Sequence, residues 1–186
     1  MALPRQHRDA FTPDEIEFIA GNEFISIMPL YKMPPLKLAQ ITYGPFRPPL
    51  PAVVPLWLAL TMKQNQKCKL IPPTWLTAEH LKAKLEQEES KDEFCNLPFY
   101  YMETAHMILE SASDDIPNVD QVRKLLKDLR ETRQSKARVG LAALDNRWLG
   151  MHNLSFMEIN EIRPFFSRVF DEMRKLDYHT NDPTDT

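Results

Sequence analysis

Nucleophilic or metal-assisted chemistry in this chain would have to come from Cys68, Cys95 and five histidines, His7, His80, His106, His152 and His179. A zinc site needs closely spaced ligands so that four of them converge on one ion. No CxxC or HExxH spacing occurs. Ser111 and Ser113 lack the glycine-flanked turn that presents a serine nucleophile. Asp114 and Asp115 close one helical stretch and open a turn before Pro117, a poor setting for an acid–base pair. The four glycines are too scattered to cradle a phosphate. His106 sits in an apolar helical stretch and reads as a hydrogen-bonded structural residue. The two cysteines read as reduced thiols of an intracellular protein. Catalytic, cofactor and metal sites are all expected to be absent.

Charge is the remaining chemical resource. The net charge of −3 over 186 residues gives no global attraction to nucleic acid or anionic lipid, so any such contact needs a local patch. One segment supplies candidates. Asn118 with Gln121 reads as the cap of a long helix reaching about Asp145, roughly 40 Å at 1.5 Å per residue. Val122, Leu126, Leu129, Arg133, Lys136 and Gly140 share one stripe of that helix. The stripe begins apolar and turns cationic without changing direction. A charge on a packing face is costly unless paired. Either the far half of the helix meets carboxylates or carbonyls of another chain, with Gly140 admitting a close neighbour, or it is a solvated end with snorkelling side chains. A second face gathers Arg123, Lys127, Arg130 and Arg138 within an arc of about 80°. That face is the alternative reading, a helical nucleic-acid-binding module. Interspersed Asp120, Asp128 and Glu131, and the lack of stacking aromatics, favour a mixed-charge surface instead.

The elements that position these residues follow two grammars. Half of the sixteen prolines fall between Pro29 and Pro55. Thr12, Pro13 and Glu15 form a helix start with a capping box, and Gly21 ends that helix. Short strands are expected over Phe24–Leu30 and Leu36–Tyr43. From Pro55, placed at the first position of a helix, the pattern is helical, with Leu56 and Trp57 as packing residues. Lys69 to Ile71 reads as a brief strand. Thr77 caps a helix with Leu76 and Leu81 as its staple, and Trp75 precedes it. The acidic run Glu86, Glu88, Glu89, Asp92 and Glu93 reads as a solvated helix end. Ser155 and Glu158 form a capping box for the last helix. There Ile159, Ile162, Phe166, Val169, Met173 and Leu176 step by three and four, a seam for another helix. Pro164 falls inside it and is expected to kink it. The fold class is therefore α+β, mostly α. Residues 1–53 form a small β-containing module, residues 54–178 a larger helical domain that carries the interfaces, and residues 179–186 a polar tail. The longest apolar run, Val53–Leu60, is too short for a membrane span. No membrane association is expected.

Several segments together carry a resemblance. They are Thr12 to Asn22, Gly44-Pro45-Phe46 with its following prolines, Val54 to Ala59, Lys63 to Lys69, Pro72 to Leu76, the Lys127 to Leu141 stretch and Asn153 to Pro164. In this order and spacing they resemble the family of second Psf subunits of the eukaryotic GINS complex. The loop from Lys32 to Pro51 and the short tail depart from the family pattern. The resemblance implies a non-catalytic subunit of a heterotetramer with three paralogous partners. It also implies association with the minichromosome-maintenance helicase ring and its cell-division-cycle cofactor, and a nuclear role in chromosome replication. Direct DNA contact is left open. By the same resemblance, Arg130, Arg133 and Lys136 are expected at subunit contacts. Gly140, Leu144 and the seam from Ile159 to Met173 are expected with them.

Overall fold

The computed structural model describes residues 10–38, 41–142 and 152–180. Helix α1 (Pro13–Ala20) starts at the expected capping box. Thr12 Oγ1 accepts from the Glu15 N–H at 3.3 Å, and Glu15 Oε2 accepts from the Thr12 N–H at 2.8 Å. Strand β1 (Phe24–Pro29) follows and becomes the centre of a three-stranded antiparallel sheet. Its neighbours are β4 (Ala52–Pro55) and β5 (Cys68–Ile71). Ile25 stands opposite Val54, and Ile27 opposite Ala52 and Leu70. Ile25 and Ile27 point into the core while Phe24 and Met28 point outward, the period-two pattern of a half-buried strand. The stretch expected as one strand over Leu36–Tyr43 is instead two short arms, β2 (Leu36–Lys37) and β3 (Thr42–Tyr43), paired antiparallel. Gly44 follows at φ +98°, where a side chain is strained, and a Cβ would lie 3.1 Å from the buried Phe46 ring.

Pro55 is not the first helical residue. It ends β4 and caps α2 (Leu56–Gln64) without a side-chain hydrogen bond. The exposed donors at that helix start are met from outside the helix. Leu56 N–H donates to Glu23 O at 2.8 Å and Trp57 N–H to Gly21 O at 3.0 Å. Because β5 lies beyond α2 and pairs with β1, the sheet unit runs to Ile71, and a boundary at residue 53 divides it.

Four longer helices follow: α3 (Ala78–Ser90), α4 (Tyr101–Ser111), α5 (Val119–Ala142) and α6 (Phe156–Thr180). Asn118 precedes α5 at φ +54°, the left-handed region, not the extended conformation of a usual cap. The expected end of α5 near Asp145 lies outside the described residues, as does Leu144. Pro164 removes one backbone donor from α6, yet the helix runs through it. Sheet and helices share one core. Ile25, Ile27 and Leu56 belong to the same buried cluster as Leu81, Tyr101, Ile108, Val122 and Leu129. The small β unit therefore leans on the helices, as its size requires. Among the described residues no helix is long and apolar enough to cross a membrane.

A second tie joins the two parts. Asp115 Oδ2, in the short turn Ser113–Asp115, accepts from the Leu70 N–H at 2.8 Å and lies 2.8 Å from Lys63 Nζ. Asp114 reaches the same lysine at 2.7 Å but is largely solvent-exposed. The two aspartates should therefore differ on replacement. Asp115→Ala strands a buried strand N–H and an ammonium and should lower unfolding stability by about 2–3 kcal/mol. Asp114→Ala should cost under about 1 kcal/mol. Denaturant unfolding of the two variants checks the order.

Candidate functional site

The cationic half of the α5 stripe does not leave the core. Arg133 is 1% exposed, and its guanidinium sits among acceptors of its own chain. Nε donates to Glu158 Oε1 at 2.7 Å and Nη2 to Glu158 Oε2 at 2.9 Å, a bidentate pair. Nη1 donates to Glu88 Oε2 and to Cys95 O, each at 3.2 Å, and Nη2 also to Asn153 O at 2.7 Å. All five guanidinium donors are thereby matched. The Phe94 ring lies 4.9 Å from Cζ. Glu158 accepts further bonds from Tyr101 Oη at 3.2 Å and from the Ser155 N–H at 2.8 Å. Ser155 Oγ accepts from the Glu158 N–H at 3.3 Å, so the capping box and the ion pair share one carboxylate.

Lys136 lies one turn on and caps the end of α3. Its Nζ donates to Glu88 Oε1 at 2.9 Å, Glu88 O at 2.6 Å and Lys91 O at 2.7 Å. Glu88 also accepts the Cys95 N–H at 2.9 Å. Arg133 and Lys136 therefore find the carboxylates and carbonyls that their charge requires, but inside the chain. This corrects the expectation that they reach a partner. It also corrects Glu88, which was assigned to a solvated run and is fully buried.

Burial alone would raise the Glu88 and Glu158 carboxyls. The hydrogen bonds and charges of Cys95, Lys136 and Arg133 overcome it for Glu88, and those of Arg133 and Ser155 for Glu158, so both are held below the usual range. Burial and the Glu88 charge push the Cys95 thiol up to about 11, which makes it a poor nucleophile. Burial likewise raises the Tyr101 hydroxyl, helped by Glu158. Glu103 is the opposite case. It is buried on α4, and neither carboxylate oxygen has a hydrogen-bond partner among the described residues. Burial raises its pKa, and the nearby Glu158 and Glu17 charges add to this.

The other expected residues are more open. Arg130 pairs with Glu161, so it too is held within the chain. Gly140 lies on exposed helix surface, where a Cβ would meet nothing within 4 Å. Ile159, Ile162, Phe166 and Val169 are half-buried along α6, and Phe165 beside them is 50% exposed. Nothing is described of the Met173 side chain. Of the packing residues, Pro55, Leu56 and Leu76 are buried and Trp75 is half-buried. Trp57 is 42% exposed, because it shares the outer face of α2 with Thr61 while Leu56, Ala59 and Met62 face the sheet. The basic face expected for nucleic acid is largely engaged. Arg123 donates to Leu109 O, Lys127 pairs with Glu131, and Arg130 with Glu161. His106 pairs with Glu17 at 2.9 Å on the surface, joining α4 to α1. No group of metal-ligating side chains occurs among the described residues.

The geometry is that of a helical unit braced internally, and comparison with known proteins gives it a place. The family model for the PSF2 N-terminal domain matches residues 12–71, and that for the GINS complex protein helical bundle domain matches residues 75–177. The chain belongs to the PSF2 family of GINS proteins. The first match ends at Ile71, where the sheet ends. The DNA replication complex GINS protein psf2 of Schizosaccharomyces pombe is 46% identical over 95% of this chain and 96% of its own length. The PSF2 proteins of Homo sapiens and Xenopus laevis are each 39% identical over 87% of this chain and 90% of theirs.

The sequence carried a signal for Glu88 that charge counting hid. Leu81, Leu85 and Glu88 step by four and three, so Glu88 continues the buried face of α3. Glu103 carried none, since it lies off the Tyr101–Ala105–Ile108 face.

Two outcomes follow. Arg133→Met leaves Glu158 buried without its cation and Glu88 with Lys136 alone, and should destabilise the chain by about 3–5 kcal/mol, and Arg133→Lys should recover only part of it. Glu88 and Glu158 have depressed folded pKa values, so their stabilisation is present above the unfolded value of about 4.3 and is lost as pH falls below it. Glu103 has a raised folded pKa, so its effect is reversed. It favours folding in acid and loses that contribution as pH rises from the unfolded value through the folded one. The advantage of Glu103→Gln over the parent should therefore grow from pH 4 towards neutrality, read by denaturant unfolding across pH. An advantage independent of pH would contradict the assignment.

Proposed function

We propose that this chain is a non-catalytic subunit of a GINS heterotetramer and acts in chromosomal DNA replication in the nucleus. In that role it ties the minichromosome-maintenance ring to its cell-division-cycle cofactor. The observation that carries this reading is the pair of family matches, which follow one another from residue 12 to residue 177. The curated relatives bear the words DNA replication complex in their names.

The physical reading is a rigid adaptor. The buried Arg133 cluster fixes the start of α6 against α3, α4 and α5. Phe156 is further seated by its N–H bond to Phe99 O at 2.9 Å and by ring contacts with Phe11, Phe99 and Tyr100. Asn160 clasps the Phe11 backbone through both its amide groups, at 2.7 and 2.9 Å. Held in this way, α6 presents Ile162, Phe165, Phe166 and Val169 in a fixed direction, together with the exposed Val139 and Gly140 of α5. These residues are the candidate subunit interface. A fixed face loses little conformational freedom on docking, which favours a stable assembly. The adaptor then acts by binding one conformation of the ring better than others.

Co-expression with the three paralogous subunits, followed by size-exclusion chromatography with light scattering, tests this. The expected result is one equimolar four-subunit peak. Phe165→Glu should weaken or abolish it while leaving the isolated chain folded. A parent chain that stays monomeric beside its paralogues would overturn the reading.

A further inference from the structure

A second uncovered apolar surface lies away from α6. Phe18 is 81% exposed, Phe24 66% and Ile41 52%. They line two grooves that meet at Trp57. One, of about 490 Å³, runs between α1, α2 and α4 and is lined by Phe18, Leu60 and Met107, with Asp14 and Glu17 along it. The other, of about 440 Å³, runs between the outer side of the sheet and the β2–β3 pair, lined by Phe24 and Ile41. Trp57 and Asn22 belong to both, so the surface is continuous. Single exposed apolar residues are ordinary, but a continuous aromatic channel in a folded domain marks a contact.

Its charge specifies the occupant. The acidic side is built on α1, where Asp14 and Glu17 are one turn apart. The Asp14 carboxylate has no ion-pair or hydrogen-bond partner among the described residues, and Glu17 reaches only the ring of His106, through one oxygen. Resting on the reading of the chain as a GINS subunit, we propose that this double groove seats an apolar segment of a neighbouring subunit. That segment carries a lysine or arginine opposite Asp14 and Glu17. The apolar part covers Phe18, Trp57 and Phe24, and the cation lies at the α1 end, where the pair of carboxylates is left partly unanswered. This contact is separate from the α6 seam, so the chain is gripped from two sides.

The test uses the reconstituted complex. A photo-crosslinking benzoylphenylalanine replaces Phe18, and the linked residue is mapped by mass spectrometry. Phe18→Glu and the double reversal Asp14→Lys/Glu17→Lys are compared for affinity. Phe18→Glu should leave the thermal unfolding of the isolated chain nearly unchanged, because that side chain is exposed, and the double reversal should lower it only slightly, since what it removes is the surface Glu17–His106 pair. The proposal expects a cross-link to an apolar stretch of another subunit that contains a basic residue. It also expects weakening on the order of tenfold or more from Phe18→Glu. Charge reversal should weaken assembly too, and reversing the mapped basic residue to glutamate should restore it. A cross-link within this chain or to a second copy of it would overturn the proposal. So would charge reversal without effect. If the parent chain itself fails to join its paralogues, the underlying functional reading falls, and this inference with it. If the parent and both variants assemble equally, only this inference falls.

Discussion

One guanidinium organises the C-terminal half of this protein. Arg133 is placed where an apolar residue would be expected, at the continuation of the Val122–Leu126–Leu129 stripe. A buried charge in that position is costly unless every donor is answered. The answers come from Glu88 at the end of α3, the carbonyl of Cys95 in the following loop, the carbonyl of Asn153 before α6, and Glu158 in its first turn. These groups form two pairs local in sequence, Glu88 with Cys95 and Asn153 with Glu158, and α5 lies between the pairs. The requirement that they converge fixes how α3, α5 and α6 lie together. Glu158 is asked to do three things at once, capping its own helix, pairing with Arg133 and accepting from Tyr101. This explains why the first turns of α6 are anchored while its later hydrophobic residues stand half out of the chain.

The same constraint separates what the chain uses for itself from what it leaves for others. Arg130, Arg133 and Lys136 of α5 are occupied internally, by Glu88, Glu158, Glu161 and backbone carbonyls. A helix with its charges so engaged is a brace, and it is poorly arranged to follow a phosphate backbone. The surfaces left open are apolar, on α6 and across Trp57. Apolar faces held rigidly are suited to docking against another protein.

Much of the fold was legible because local signals agreed. The Thr12 and Ser155 capping boxes, the alternation of Ile25 and Ile27, and the Thr77 helix start each rest on short-range physics that tertiary structure did not override. The family was legible for a different reason, the order of many short segments. What failed were long-range questions. The pairing of Cys68–Ile71 with β1 needs two segments forty residues apart to meet across α2, and no local pattern states it. The stripe of α5 announced that Arg133 and Lys136 needed partners, but not that the partners lay in the same chain. Trp57 was read as core from its type, although its position beside Thr61 on α2 turns it outward. Glu103 was invisible, since a lone carboxylate off the apolar face of a helix gives no sign that another helix will bury it.

The central claim is that the Arg133 cluster holds α6 in place. Native-state hydrogen exchange of the parent chain and Arg133→Met tests it most directly, followed at the amides of Phe156 to Ile162 and of β1. The account predicts that the first turns of α6 lose protection in the variant well before the strand does, because the anchor is gone while the sheet core remains. Equal loss in both regions would show that Arg133 supports the whole fold without a particular hold on α6. Undiminished protection of α6 would contradict the account outright.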